Sequence, residues 1–182
     1  GEVKYGTALF WNERFALTAG HVAYGMDPAD PATKIFTGID LLASTGQTIR
    51  IARKILLPGY VYDSYAGPDI AILEFTEPVQ GFQSAEIGSV NFGQIATGAG
   101  YGRPARPGGY LSDGDHFKLR GFQAQLRDYR PQGYPSDVYA SHIFEIGNHL
   151  GAKAIGGDSG SPTYDSGGKV VGVNVYQTGG EL

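Results

Sequence analysis

Short apolar segments, each ended by glycine or proline, recur along the whole 182-residue chain. The sequence contains 29 glycines and 10 prolines, and these two residues mark turns between regular elements. Residues that favour strands, among them Val, Ile, Phe and Tyr, fill the segments between the turns. None of the segments has the 3.6-residue periodicity of an amphipathic helix. The chain is therefore predicted to be all-β, with many short strands.

The same pattern gives the strand positions and divides the chain into two halves. Apolar segments predict strands at residues 5–10, 15–18, 35–39, 47–57, 70–75, 94–102, 117–126, 139–146 and 169–177. A polar stretch at 78–90 is the predicted linker, so we expect one domain at residues 1–85 and a second at 86–182. Loops rich in glycine, proline and aspartate are predicted at 25–33, 103–115 and 128–137.

Charge and residue usage exclude several classes of function. A net charge of −4 argues against a nucleic-acid or anionic-membrane partner, because each of these needs a basic face. The chain has no cysteine, which excludes disulfides, thiolate metal sites and a cysteine nucleophile. Its four histidines lack the spacing of a zinc-binding helix. No window is long and apolar enough to span a membrane.

Two weaker signals do not lead to a cofactor. The glycines at 98, 100 and 102 resemble part of a dinucleotide motif, but no helix pattern follows them. Asp27 and Asp30 lie in one loop, where they could hold a cation or simply face solvent. The solvated loop is the simpler interpretation, so we predict neither a metal nor a cofactor.

The strongest chemical signal is the stretch Gly-Gly-Asp-Ser-Gly-Ser-Pro at 156–162. Its glycines permit backbone conformations that other residues avoid, and they let a substrate approach closely. A serine there, with main-chain N–H groups directed at the same point, can present a nucleophile beside an oxyanion hole. Clusters of Gly, Ser and Asp also form ordinary turns, so this stretch alone leaves both interpretations open.

Two upstream residues supply what a serine nucleophile lacks. A serine hydroxyl is weakly nucleophilic at neutral pH, and it needs a base that is itself oriented by a third group. His21 is predicted at the end of a strand, after small residues. Asp69 lies at the mouth of a nearly continuous apolar strand, where a carboxylate is costly unless it is hydrogen-bonded. A lone histidine is more often a core or surface residue, so the interpretation depends on His21, Asp69 and Ser159 together.

Three segments resemble the signature blocks of chymotrypsin-fold serine proteases, the trypsin-like family: Leu-Thr-Ala-Gly-His-Val at 17–22, Asp-Ile-Ala-Ile-Leu at 69–73 and Gly-Asp-Ser-Gly-Ser-Pro at 157–162. Their spacing of 48 and 90 residues is similar to that of the family. Further resemblances are Leu-Pro-Gly-Tyr at 57–60, Ala-Gly-Tyr-Gly at 99–102 and Val-Gly-Val-Asn-Val-Tyr-Gln at 171–177. The resemblance covers almost the whole chain, and the lack of cysteine is more like bacterial than animal members.

The resemblance implies two packed antiparallel β-barrels with the site between them. Ser159 would be the nucleophile, His21 its base, and Asp69 the group that orients the imidazole. Main-chain N–H groups of Gly157 and Ser159 would bind the oxyanion. The implied activity is that of a secreted serine endopeptidase, which cleaves protein or peptide substrates through an acyl-enzyme.

The resemblance also assigns substrate-binding positions. Val175, Tyr176 and Gln177 would pair with the substrate backbone as an added strand. Lys153 and Ala154 would lie at the base of the primary pocket. Because no carboxylate stands there, a preference for Lys or Arg is disfavoured. The Lys153 ammonium could favour acidic side chains or point to solvent, and no preferred residue is predicted.

The chain departs from the family pattern at both ends. In the family the residue that corresponds to Asp158 pairs with a freshly cut N-terminus, usually Ile or Val. No such start precedes the first strand, and the family's last pocket strand and C-terminal helix have no counterpart after residue 177. We therefore expect the chain to be the core fragment of a longer polypeptide and to lack terminal strands of the two barrels.

Two other functions remain as alternatives. The chain could be a protease-like binding module or zymogen that is catalytically silent, or a non-protease esterase. The presence of all three of His21, Asp69 and Ser159 favours the endopeptidase. The competing serine-hydrolase fold has its nucleophile in a Gly-x-Ser-x-Gly motif and its catalytic residues in the order serine, acid, histidine. In this chain Ser161 stands where the motif requires its last glycine, and the order is histidine, acid, serine, so that fold is excluded.

Overall fold

The computed structural model describes residues 5–40, 46–62, 67–102, 105–106, 109–110, 118–128, 144–148 and 157–175. Within these ranges the chain forms twelve strands and one five-residue helix. In chain order they are β1 (Ala8–Phe10), β2 (Phe15–Thr18), α1 (Gly20–Tyr24), β3 (Lys34–Phe36), β4 (Thr48–Leu56), β5 (Ala71–Phe75), β6 (Ile95–Gly100), β7 (Ala105–Arg106), β8 (Gly109–Tyr110), β9 (Arg120–Asp128), β10 (Phe144–Asn148), β11 (Pro162–Tyr164) and β12 (Val170–Val173).

The first half of the chain folds into an antiparallel sheet with the strand order β1-β2-β5-β4-β3. Alternate residues of the central strand β5 face the core, so Ala71, Leu73 and Phe75 are each at most 1% exposed. These side chains pack with Ile51 of β4 and other buried apolar residues. The period-2 alternation predicted from the sequence therefore buries one face of this sheet.

The register between β2 and β5 determines where two of the predicted site residues lie. Thr18, the last residue of β2, pairs with Ala71, the first residue of β5. Because the strands are antiparallel, the end of β2 and the start of β5 lie at the same end of the sheet, and the chain continues beyond that end from both strands. His21 and Asp69 stand in these two extensions.

The second half folds into an antiparallel sheet with the order β10-β9-β6-β11-β12. The short strand β11 lies between β6 and β12, and residues 157–161 lead directly into it. The predicted linker at 78–90 runs between the two sheets. Val79 N–H donates to Glu13 O in the turn between β1 and β2, and Gly88 N–H donates to Val170 O in β12. The domain limits at residues 85 and 86 fall between these contacts and stay a prediction.

Every regular element in the described ranges except α1 is a strand, which confirms the predicted all-β fold. The two five-stranded antiparallel sheets are consistent with the two β-barrels that the resemblance implies. The short helix α1 was not predicted, and His21 lies in it rather than at a strand end. A helix of five residues is too short to reveal a 3.6-residue period in the sequence. The described residues contain no helix with the length and apolarity needed to cross a membrane.

Three other expectations need correction. The three-residue strand β11 was not predicted, and β7 and β8 lie in a stretch that was predicted to be a loop. The strand expected to run to residue 177 ends at Val173. In the loop at 25–33, Asp27 and Asp30 each accept main-chain N–H groups two residues ahead, so they stabilise their own turns. No group of three metal-ligating side chains occurs in the described ranges.

Candidate active site

The carboxylate of Asp69 binds His21 through both of its oxygens. Oδ1 accepts the main-chain N–H of His21 at 2.7 Å, and Oδ2 lies 2.7 Å from His21 Nδ1. The Asp69 side chain is 3% exposed, whereas the His21 ring is 32% exposed. With Nδ1–H donated to the carboxylate, the neutral imidazole has its lone pair on Nε2. The pair thus holds a proton acceptor in a fixed orientation at an accessible position.

Gly20 makes this close approach possible. A Cβ at position 20 would lie 2.8 Å from Asp69 Oδ1 and 2.7 Å from ring atoms of Tyr60. Both contacts are too short for a carbon atom. The small residue before His21 therefore leaves room for the carboxylate on one side and for the Tyr60 ring on the other.

Residues 157–161, here called the Ser159 loop, form a tight turn before β11. Gly157 and Gly160 have φ values of +99° and +88°, which favour glycine. Ser161 N–H donates to Asp158 O at 2.8 Å, and Gly160 N–H donates to Asn174 O at 2.7 Å. Ser159 itself is half-buried, so it lies in a hydrogen-bonded turn and keeps part of its surface accessible to solvent.

The Ser159 loop packs against the strand end that leads to His21. A Cβ at Gly160 would clash with Thr7 O and Thr18 Oγ1, and it would lie 3.1 Å from Ala19 N. Thr18 and Ala19 directly precede α1. The second sheet therefore supplies Ser159 to the same region in which the first sheet supplies His21 and Asp69.

Asp158 is buried beside the serine. It is 8% exposed, and its Oδ1 accepts Gly102 N–H at 2.8 Å. A Cβ at Gly100 or Gly102 would clash with this carboxylate, which explains both glycines of the Gly-Tyr-Gly turn. Residues 1–4 lie outside the described residues, so the activation-related role that the family resemblance implies for Asp158 stays an expectation.

A family model for trypsin matches residues 2–181 of the sequence. The chain belongs to the trypsin family. Among solved structures, neuropsin, described as a serine protease expressed in the limbic system of mouse brain, matches with a TM-score of 0.69 and 18% sequence identity. The match covers 93% of this chain and 75% of the neuropsin chain. At this identity the likeness shows the fold alone. No curated protein sequence matches the chain.

The other site residues expected from the trypsin-family resemblance are only partly described. Gly157 belongs to the Ser159 loop, and Val175 is half-buried directly after Asn174. The remaining substrate-binding predictions lie outside the described residues: Lys153, Ala154, Tyr176 and Gln177. The structure thus places Asp69 in contact with His21 and the Ser159 loop beside the strand end that precedes His21. The pocket residues stay predictions.

Asn174 is a site residue that the sequence reasoning missed. Its Nδ2 donates to Ser161 Oγ at 2.5 Å, its Oδ1 accepts the Thr163 hydroxyl at 3.4 Å, and its main chain pairs with Gly160 and Ser161. All of these side chains are buried. The signal was an amide within an apolar strand, because a buried polar group needs partners.

Tyr101 connects this region to the first half of the chain. Its hydroxyl donates to Gly38 O at 2.6 Å, and its N–H donates to Thr7 Oγ1 at 3.3 Å. Burial raises the pKa of Tyr101 above its ordinary value of 10.0, because a low-polarity environment disfavours the phenolate. Burial likewise raises the pKa of Tyr164 in β11. Tyr101 therefore stays a neutral donor at physiological pH.

Replacing Gly160 with alanine is expected to destabilise the protein by at least about 2 kcal/mol, because the methyl group meets main-chain oxygen at a positive φ. Gly93 provides a matched control, since its φ is +89° and nothing lies within 4 Å of an added Cβ. Gly93→Ala should cost only about 1 kcal/mol, the strain of the backbone conformation. Urea unfolding of both variants measures the difference. Equal losses would show that the packing of the Ser159 loop against Thr7 and Thr18 contributes nothing.

Proposed function

We propose that the protein is a serine endopeptidase that cleaves peptide bonds through an acyl-enzyme, with His21, Asp69 and Ser159 as its catalytic triad. The observation that carries the proposal is the two-oxygen contact of Asp69 with His21, made where the Ser159 loop packs against the strand end before His21. Membership of the trypsin family and the likeness to a serine protease fold support it.

In the first chemical step, Ser159 Oγ attacks the substrate carbonyl carbon while His21 Nε2 takes the hydroxyl proton. The carbonyl π electrons move to oxygen and form a tetrahedral oxyanion. When the C–N bond breaks, the leaving amine receives the proton from Nε2, and the acyl group remains on Ser159. Water then attacks the acyl carbon while Nε2 takes its proton. When the bond to Ser159 Oγ breaks, Nε2 returns that proton to Oγ, and the acid product leaves. Asp69 stabilises the imidazolium in each half and keeps Nε2 directed at the reacting atoms.

The oxyanion forms beside the main chain of the Ser159 loop. We assign the N–H groups of Gly157 and Ser159 as its donors, each contributing about 3–4 kcal/mol to stabilisation of the transition state. The hydrogen bond from Ser161 N–H to Asp158 O supports the assignment of Ser159, since Asp158 C=O and Ser159 N–H belong to one planar peptide unit and point in opposite directions. The positive φ of Gly157 and the hydrogen bond on its carbonyl restrict the backbone beside the other donor, Gly157 N–H.

The substrate is proposed to be an extended protein or peptide. Val175, Tyr176 and Gln177 continue from β12 and would pair with the substrate backbone as an added strand. Lys153 and Ala154 are proposed for the base of the primary pocket, where no carboxylate is available to select Lys or Arg. From its family we also propose that the protein is secreted.

A fluorophosphonate tests the proposal, because it reacts only with a serine that its own base and oxyanion hole activate. Intact mass should show one adduct per folded chain, and peptide mapping should locate it on Ser159. Heat-denatured protein should remain unlabelled, and casein hydrolysis should disappear as labelling proceeds. A folded protein that takes no label would contradict the endopeptidase and favour a silent binding module or a zymogen. Labelling with cleavage of esters but not of casein would favour the esterase.

A further inference from the structure

Thr7 stands immediately before β1, is 4% exposed, and makes hydrogen bonds through its main chain and its hydroxyl. Its N–H donates to Ser159 O at 2.7 Å. Its hydroxyl donates to Gly157 O at 2.9 Å and accepts Tyr101 N–H at 3.3 Å. Its own carbonyl accepts the Thr18 hydroxyl at 2.7 Å. A single buried residue thus contacts the carbonyls of Gly157 and Ser159 in the Ser159 loop and also Thr18, at the strand end before His21.

From these contacts we infer that Thr7 is a positioning residue for the reaction, and that its hydroxyl fixes the oxyanion-binding main chain of the Ser159 loop. The inference rests on the proposed function. Thr7 would touch neither substrate nor reacting atoms, and it acts through the backbone of Gly157 and Ser159.

The geometry of the peptide unit explains how a hydroxyl can act at this distance. Gly157 O, Asp158 O and Ser159 O are three successive carbonyls, and each has a donor: the Thr7 hydroxyl, Ser161 N–H and Thr7 N–H. Because each peptide unit is planar, holding these oxygens fixes the three successive peptide planes between Gly157 and Gly160. The middle plane carries Ser159 N–H, and Thr7 holds the planes on either side of it. Thr7 supplies two of the three donors.

The hydroxyl matters most at Gly157, where the backbone is least restricted. Glycine has no Cβ to limit its dihedral angles, and Gly157 has a φ of +99°. Its N–H is one of the two proposed oxyanion donors. A hydrogen bond to its carbonyl fixes the peptide plane between Gly157 and Asp158 and so limits the ψ rotation that would turn Gly157 N–H relative to Ser159 N–H. Without that bond, we expect the loop to occupy orientations in which a donor points away from the oxyanion.

The remaining contact of Thr7 relates this loop to the base. Thr18 donates from the end of β2, three residues before His21. A Cβ at Gly6 would lie 3.0 Å from Ser159 O and 2.7 Å from Val22, so the same short segment separates the serine loop from α1. Thr7 therefore lies between the Ser159 loop and the strand end before His21, and it sets the distance between the two. Small displacements of reacting groups reduce the rate strongly.

A valine at position 7 isolates the hydroxyl, because it keeps the branched shape and both main-chain groups. We expect Thr7→Val to lower kcat about ten- to a hundredfold with KM nearly unchanged. The rate of fluorophosphonate labelling should fall in parallel, since that reagent also places an oxygen among the oxyanion donors. Thr7→Ser keeps the hydroxyl and should retain kcat within about threefold of the parent. Thr97→Val is the control, an exposed threonine on β6, and it should leave kcat unchanged.

The outcomes separate this inference from the proposed function. A parent that neither labels nor hydrolyses casein overturns the proposed function and the positioning role with it. An active parent with a Thr7→Val variant of equal kcat and a lower melting temperature overturns the positioning role alone, because the hydroxyl would then serve only stability. If the valine variant does not fold, Thr7→Ala is compared with Thr7→Ser in the same assay. A folded alanine variant that is as fast as the serine variant also overturns the role.

Discussion

Replacing Ser159 with alanine is expected to lower the rate of casein hydrolysis about a million-fold and to abolish fluorophosphonate labelling. The variant has no side-chain oxygen to attack the substrate, and His21 has no serine hydroxyl from which to accept a proton. Stability should change little, because Ser159 is half-buried and its main-chain carbonyl keeps the hydrogen bond from Thr7. Steady-state hydrolysis and a urea unfolding curve on the same preparation give both quantities.

The matched control for this variant is Ser166→Ala. Ser166 is an exposed serine in the turn between β11 and β12, a few residues along the same segment of chain. It should keep full activity and full labelling. If Ser159→Ala retained more than about one-thousandth of the parent rate, the nucleophile would have to be another residue, and the assignment of the Ser159 loop would be wrong.

Replacing Asp69 with asparagine is expected to lower kcat about ten-thousandfold. The carboxylate accepts two N–H groups of His21, one from the main chain and one from Nδ1. An amide has only one oxygen, so its NH2 group would face one of these two nitrogens. If it faces Nδ1, the imidazole must carry its proton on Nε2, and Nε2 can no longer accept the proton of Ser159.

Asp165→Asn is a suitable comparison for the asparagine variant. The Asp165 carboxylate also accepts two main-chain N–H groups, from Gly167 and Lys169, but it lies in the turn between β11 and β12. Both bonds go to a single oxygen, Oδ1, which the amide oxygen of asparagine can replace, so this replacement should leave kcat unchanged. A value of kcat for Asp69→Asn within about tenfold of the parent would contradict the role of Asp69 as the group that sets the tautomer.

The proposed catalytic residues could be chosen from the sequence because the chemistry restricts which residue types can fill these roles. A nucleophile, a base and an orienting carboxylate allow few residue types, and the glycines around Ser159 and before His21 mark close approaches that only glycine tolerates. The strands could be located because a half-buried sheet requires alternating side chains. In β5 this alternation appears directly in the burial of Ala71, Leu73 and Phe75.

The supporting residues could not be predicted in the same way, because their partners are distant in sequence. The hydroxyl of Thr7 donates to the carbonyl of Gly157, 150 positions away in sequence, and no pattern in the sequence near Thr7 predicts that contact. Helix α1 was missed because its five residues are too few to reveal a period. Strand β11 was missed because three residues that begin with proline resemble a turn.

The pairing of Thr18 with Ala71 has a consequence for a damaged molecule. His21 and Asp69 extend from the first sheet, while Ser159 precedes β11 of the second sheet and is held to the first sheet through Thr7. A molecule whose two sheets have begun to separate would keep its histidine–aspartate pair but would no longer hold the serine beside it. Under the proposed function, such a molecule would lose its peptidase activity before either sheet unfolds.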